Sequence, residues 1–142
     1  LVDYLSSVIN NKDIVFLAII ETQTNKHVGN IKLGPIDWIK RKAIYGRMIG
    51  DKESWGKGYG TEAARLIIKY GFERLNLHKI GAMALIVNKG SIKSNQKAGL
   101  KIECTIPEEV FRNGKWIDCV SLSITENEYF NSVKPTLKNS TK

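Results

Sequence analysis

The sequence predicts an α+β fold, a mixed α/β layout carried by one sheet. Three observations predict it. Short runs of branched and aromatic apolar residues recur through the first fifty positions. A longer run, from about Thr61 to Asn76, has the helical period instead. A wholly apolar stretch, IGAMALIV, follows it at once.

Taken in order, Leu1 to Asn10 reads as the end of a helix with Leu5, Val8 and Ile9 on one face, broken by Asn10 and Asn11. Ile14 to Glu21 is a buried strand, TQTNK a turn, and His27 to Gly34 the hairpin partner. Alternation in that partner is imperfect: Gly29, Ile31 and Leu33 face one way, Val28, Asn30 and Lys32 the other. Lys42 to Gly50 is a third strand. In the helix, Glu62, Arg65, Lys69 and Glu73 form a polar stripe opposite Ala64, Ile67, Ile68, Gly71 and Leu75. Ile80 to Val87 is expected to be a central strand covered on both faces. NKGSIKSNQKAG is a short helix that Ser91 caps or starts and Gly99 stops. Leu100 to Ile106 is a strand, Asn113-Gly114 a turn, and Trp116 to Ile124 the last strand. Residues 1–130 read as one domain and 131–142 as a polar tail, frayed from Lys134 onward.

Composition narrows the function. The 142 residues are 42% apolar and 25% charged, ordinary for one globular domain. No apolar run is long enough to span a bilayer, so no membrane partner is expected. LVDYLSSVINNKD lacks the pattern of a signal peptide, so a cytoplasmic location is expected. Cys104 and Cys119 lie in apolar segments and read as buried thiols; no cluster has metal-ligand spacing, so no metal is expected. Lys and Arg number 22 against 14 acidic residues, a net charge of +8 that attracts anions. Nucleic acid is not the expected anion, because no aromatic platform accompanies the scattered basic residues.

One stretch points to a different anion. In SWGKGYGTEAARLII, glycines 56, 58 and 60 alternate immediately before the helix. A helix N-terminus has unpartnered N–H groups and the positive end of the helix dipole. A glycine-rich approach lets several N–H groups converge on one anion, with Lys57 at the rim. A nucleotide-hydrolase loop is excluded, since no GK[ST] ending is present. A dinucleotide fingerprint fails too: Ala63 holds its third glycine position, and the following strand lacks the acidic ribose ligand. On this pattern alone, a simple strand-to-helix connection stays open.

The block Asp51 to Ala63, D-x-x-x-W-G-K-G-Y-G-T-E-A, resembles the acyl-CoA pyrophosphate loop of the GCN5-related N-acetyltransferase (GNAT) superfamily. The likeness is strongest to ribosomal-protein-alanine and amino-sugar acetyltransferases. A second block agrees: Asn88, Ser91, Asn95, Lys97, Gly99 and Leu100 follow the family's N-x-x-S segment and helix, with Leu100 in an aromatic position. The resemblance runs from about Ile14 to Phe130. It implies a single central mixed sheet flanked by helices. Relatives open with one more strand and helix, so it also implies that the chain starts inside that region.

By resemblance, Trp55, Gly56, Lys57, Gly58, Tyr59, Gly60 and Thr61 bind the diphosphate of acetyl-CoA. The strand carrying Met48 and Ile49 splays from Ile80 to Val87, and the pantetheine arm lies in the gap. Asn88 bonds that arm and Ser91 steadies its turn. Backbone N–H groups from Met48 to Gly50 serve the developing oxyanion. The implied reaction moves an acetyl group to the primary amine of a small molecule, a nucleotide-linked amino sugar or a protein N-terminus. The alternatives are a non-catalytic acyl-CoA-binding sensor and, more remotely, a nucleic-acid module. Many relatives carry an acidic tyrosine where this chain has Asn95, which cannot give up a proton as phenol does. Asn95 is therefore expected to orient the thioester or a water. Where some relatives place a glutamate stand Ile44 and Tyr45, so a base acting through water is sought among Asp37, Tyr45 and His27. Asp37 and Trp38 lie in the loop where the acceptor is expected, Trp38 as an apolar wall. The apolar edge Ile14 to Ile20 suits a homodimer.

Overall fold

The structure, a computed structural model, describes residues 2–137. Its strands are β1 (Val15–Glu21), β2 (Lys26–Leu33), β3 (Lys42–Ile49), β4 (Lys79–Leu85), β5 (Lys101–Arg112) and β6 (Lys115–Thr125). They form one sheet in the order β1-β2-β3-β4-β6-β5. Helix α1 (Val2–Ile9) precedes it, α2 (Tyr59–Glu73) crosses from β3 to β4, α3 (Lys89–Lys97) follows β4, and α4 (Glu126–Leu137) follows β6. Among the described residues, no helix is long and apolar enough to cross a membrane.

Every strand pair is antiparallel except β3 with β4, which the α2 crossover makes parallel. That parallel pairing covers only Lys42 to Tyr45 against Lys79 to Ala82. Beyond it β3 stays on β2 as far as Ile49, and β4 stays on β6 as far as Leu85. The sheet therefore opens into a V between its two halves.

The core lies on the helix side. Leu33, Tyr45, Ile80, Ala82, Ala84 and Leu122 from the sheet meet Ala64, Ile67, Ile68 and Phe72 of α2. Those positions follow the helical period, which is why the predicted apolar face of α2 holds.

Several boundaries differ from expectation. β4 is covered on one face only, with Ile80, Ala82 and Ala84 buried and Met83 42% exposed. Uniformly apolar sequence carries no alternation, so it could not report that difference. β5 runs on to Arg112, past a register shift between Ile106 and Val110, and Cys104 on that edge strand is exposed. Cys119 is buried as expected, and burial pushes its thiol up. Asn88, not Ser91, caps α3: its Oδ1 accepts the Ser91 N–H at 3.0 Å. Asn131 to Leu137, expected in the tail, belong to α4; the remaining tail residues, 138–142, lie outside the described residues. Thr125, immediately before α4, donates its N–H and hydroxyl to the Glu128 carboxylate at 2.9 and 3.0 Å and so ties down the first turn.

Candidate functional site

The open half of the V ends at the glycine loop. Gly58 is the N-cap residue of α2, with φ of 87° and no side-chain cap. That left-handed conformation suits glycine. The first backbone bond of the helix runs from Glu62 N–H to the Gly58 carbonyl. The N–H groups of Tyr59, Gly60 and Thr61 are thus left at the helix mouth.

The loop before them is held from three sides. Asp51 accepts from Ser54 Oγ and from Lys26 Nζ at 3.0 Å, and these bonds keep its carboxyl below the ordinary range. The Trp55 indole donates to the Ile49 carbonyl at 2.8 Å. Tyr59 Oη donates to the Glu21 carboxylate. Bonds from Thr24 and then Tyr59 lower the Glu21 carboxyl, and the Glu21 bond raises the Tyr59 phenol. The tip of the β1–β2 hairpin therefore braces the loop, which the sequence had given no reason to expect.

A pocket of about 500 Å³ lies between the N-termini of α2 and α3. Ile49, Trp55, Gly56, Gly58, Tyr59, Gly60, Thr61, Asn88 and Ser91 line it, together with Ser54, Gly90, Lys93, Ser94 and Lys97. Of the predicted cofactor residues, Met48 and Lys57 stand outside this lining.

Backbone direction explains the place of Met48. Gly50 N–H bonds Val28 and the Ile44 carbonyl accepts from Gly34, so the even-numbered residues of β3 aim their polar groups at β2. Those of Arg47 and Ile49 consequently face the gap. On the far wall, Ile86 N–H bonds Asp118 on β6, so Met83 and Leu85 face the gap. Of the Met48 to Gly50 amides, only that of Ile49 points into the V.

A polar network underlies the pocket. Asn95, 2% exposed, accepts on Oδ1 from Tyr45 Oη at 2.9 Å and Arg47 Nη1 at 2.6 Å. Arg47 Nη2 donates to Ser94 Oγ at 2.8 Å, and Ser94 Oγ lies 2.7 Å from Thr61 Oγ1. Burial raises the Tyr45 phenol, offset in part by the Arg47 charge.

A model of the acetyltransferase (GNAT) domain matches residues 3–101. The chain belongs to that family. It is 32% identical over 101 residues to a spermidine N(1)-acetyltransferase of Escherichia coli, covering 71% of this chain and 54% of the relative. A putative ribosomal N-acetyltransferase of Bacillus subtilis is 34% identical over 101 residues, 71% and 55% of the two chains. The chain thus spans about half the length of the curated relatives it matches. The structure of a Vibrio cholerae spermidine N-acetyltransferase in complex with CoA and spermine superposes with a TM-score of 0.83 at 26% identity, covering 91% of this chain and 75% of that one.

Against this GNAT frame, the predicted catalytic residues separate. Asn95 and Tyr45 are together but buried, each committed to the other. Tyr45 is also held protonated by its burial, which disfavours a role as base. Asp37 and Trp38 lie before the start of β3, at the paired end of the V. Asp37 Oδ1 accepts from the N–H groups of Ile39 and Lys40, and the Trp38 indole donates to Asp13 at 2.8 Å. The structure does not bring these two to the pocket. His27 Nε2 donates to the Gly29 carbonyl at 2.8 Å, within its own hairpin. Asn88 spends its oxygen on capping α3 while still lining the pocket. Arg47 went unnoticed in the sequence. The one available signal was alternation: a cation follows Ala43 and Tyr45 on the inward face of β3.

Proposed function

We propose that this domain transfers the acetyl group of acetyl-CoA to the primary amine of a small molecule, with polyamines as the first class of acceptor. One observation carries the reading: an uncapped helix mouth opens onto the unpaired end of two parallel strands. Tyr59, Gly60 and Thr61 N–H groups hold the diphosphate, and their fixed dipoles need no rearrangement to do so. The pantetheine arm enters the V and pairs with the edges offered by Arg47, Ile49, Met83 and Leu85.

Acetyl-CoA supplies the thioester. The amine nitrogen attacks its carbonyl carbon, the carbon–sulfur bond breaks, and the sulfur leaves as thiolate. Ile49 N–H is the group of β3 aimed where the oxyanion develops. The amine proton passes to water, since Asp37, Tyr45 and His27 are each engaged elsewhere. Support for the polyamine class comes from the relatives named spermidine acetyltransferases. Amino sugars and protein N-termini complete the acceptor panel. Self-association through β1 is part of this proposal: Leu17 and Ile20 are exposed on that edge strand. The Vibrio cholerae relative is described as dodecameric.

The test is a thiol-release assay with acetyl-CoA and spermidine, spermine, glucosamine or an alanine-led peptide. Saturable release with a polyamine supports the proposal. Tight acetyl-CoA binding without release on any amine would leave only the sensor reading.

A further inference from the structure

Resting on that reading of the pocket, we infer that Arg47 is a positioning residue that makes the site specific for donors bearing a diphosphate. Arg47 occupies the inward face of β3 and is only partly exposed. Its hydrogen-bond partners are all neutral: Asn95 Oδ1 at 2.6 Å, Ser94 Oγ at 2.8 Å and Tyr45 Oη at 3.3 Å. Among the described residues it forms no ion pair. A guanidinium partly withdrawn from water without a carboxylate carries a desolvation cost, and its charge is less screened than at an open surface.

That charge sits directly behind the pocket. A Cβ on Gly60 would lie 3.1 Å from Arg47 Nε, so glycine there lets the cation reach the helix mouth. Ser94 passes the contact on to Thr61 in the first turn of α2. The positive end of α2 points into the same space, and Lys93 and Lys97 line it. Like charges therefore converge from several elements, and their complement is a multiply charged anion. Arg47 thus acts through Ser94, Thr61 and the field across the pocket floor, not by touching the reacting thioester.

Three proteins and two donors test this. The proteins are wild type, Arg47→Met and Asn95→Asp; the donors are acetyl-CoA and acetyl-pantetheine, which lacks the diphosphate. Asn95→Asp keeps an acceptor for the guanidinium but neutralises its charge, so it separates electrostatics from clamping and decides the matter if Arg47→Met does not fold. Both variants are expected to raise KM for acetyl-CoA about ten- to a hundredfold, the scale of one unit charge acting on an anion a few ångströms away through partly desolvated protein. Their kcat/KM with acetyl-pantetheine should change far less, and Arg47→Lys should recover part of the acetyl-CoA loss. Equal losses on both donors, or an Asn95→Asp protein with wild-type KM for acetyl-CoA, would overturn the inference. Failure of the wild type to bind acetyl-CoA would instead overturn the function proposed above.

Discussion

The two ends of the β3–β4 pair are built to opposite purposes. At the closed end, four parallel pairs from Lys42↔Lys79 to Tyr45↔Ala82 hold the strands together. Below them Arg41 donates to the Asn76 carbonyl at 2.7 Å and to Glu126 at 2.9 Å. Glu126 also bonds His78 at 2.9 Å, and its N–H bonds the His78 carbonyl. The His78 bond, then the Arg41 charge, hold the Glu126 carboxyl below its usual range. At the open end, the same strands present unpaired backbone and exposed apolar side chains such as Met48. Four polar groups from three connections lock one end, so the other can stay apart without the sheet fraying. On the function proposed here, stability and binding fall to different halves of one strand pair.

The largest expected effect is at the open end. Gly58→Trp should weaken acetyl-CoA binding by roughly a hundredfold or more, about 2.7 kcal/mol, by filling the helix mouth. A Cβ at Gly58 meets nothing within 4 Å, so the stability cost is confined to its positive φ, about 1–2 kcal/mol. Calorimetry beside a thermal melt separates the two effects. Next, Ile80→Ala at the closed end should cost about 2–5 kcal/mol of stability in urea denaturation. Ile80 is fully buried, and acetyl-CoA affinity should be retained wherever the protein remains folded. If affinity falls as far as stability, the two halves are not independent.

How far the sequence was legible depends on whether a feature has a local cause or a distant partner. Six strands and the two central helices could be read from period and turn chemistry, because each has a uniform local cause. The glycine loop at the start of α2 was legible from its spacing, but only the resemblance implied what it binds; Asn88 and Ser91 of the second block line the same pocket. What escaped depends on partners distant in sequence. Arg47 meets Asn95 across 48 positions, and Glu21 meets Tyr59 across 38. Asp37 was sought as a base beside the acceptor, and local sequence could not report that its Oδ1 accepts from the Ile39 and Lys40 N–H groups of its own turn. α4 was missed because Thr125 and Glu128 cap a segment whose apolar residues are few.

A smaller effect is expected where α4 joins the closed end. Lys101, then the Thr125 N–H and hydroxyl, hold the Glu128 carboxyl at about 2, against an ordinary 4.5. Between those values the unfolded chain binds more protons than the folded one. The contribution is therefore complete above about pH 4.5 and lost as pH falls toward 2. Glu128→Gln should flatten the stability curve in that window and leave donor binding unchanged; superimposable acid limbs would count against it. The smallest effect belongs to Asp37→Ala, for which turnover should stay within about twofold, as for a surface change remote from the chemistry. A tenfold loss would return Asp37 to the reaction.

The most direct measurement is amide hydrogen exchange, residue by residue, with and without CoA. CoA should protect the amides of Ile49, Gly60 and Thr61 and leave Ile80 to Ala82 at their already slow rates. Binding that leaves Ile49 and Gly60 unprotected, or that slows both ends of the strand pair alike, would contradict the division between an open, cofactor-holding end and a closed, structural one.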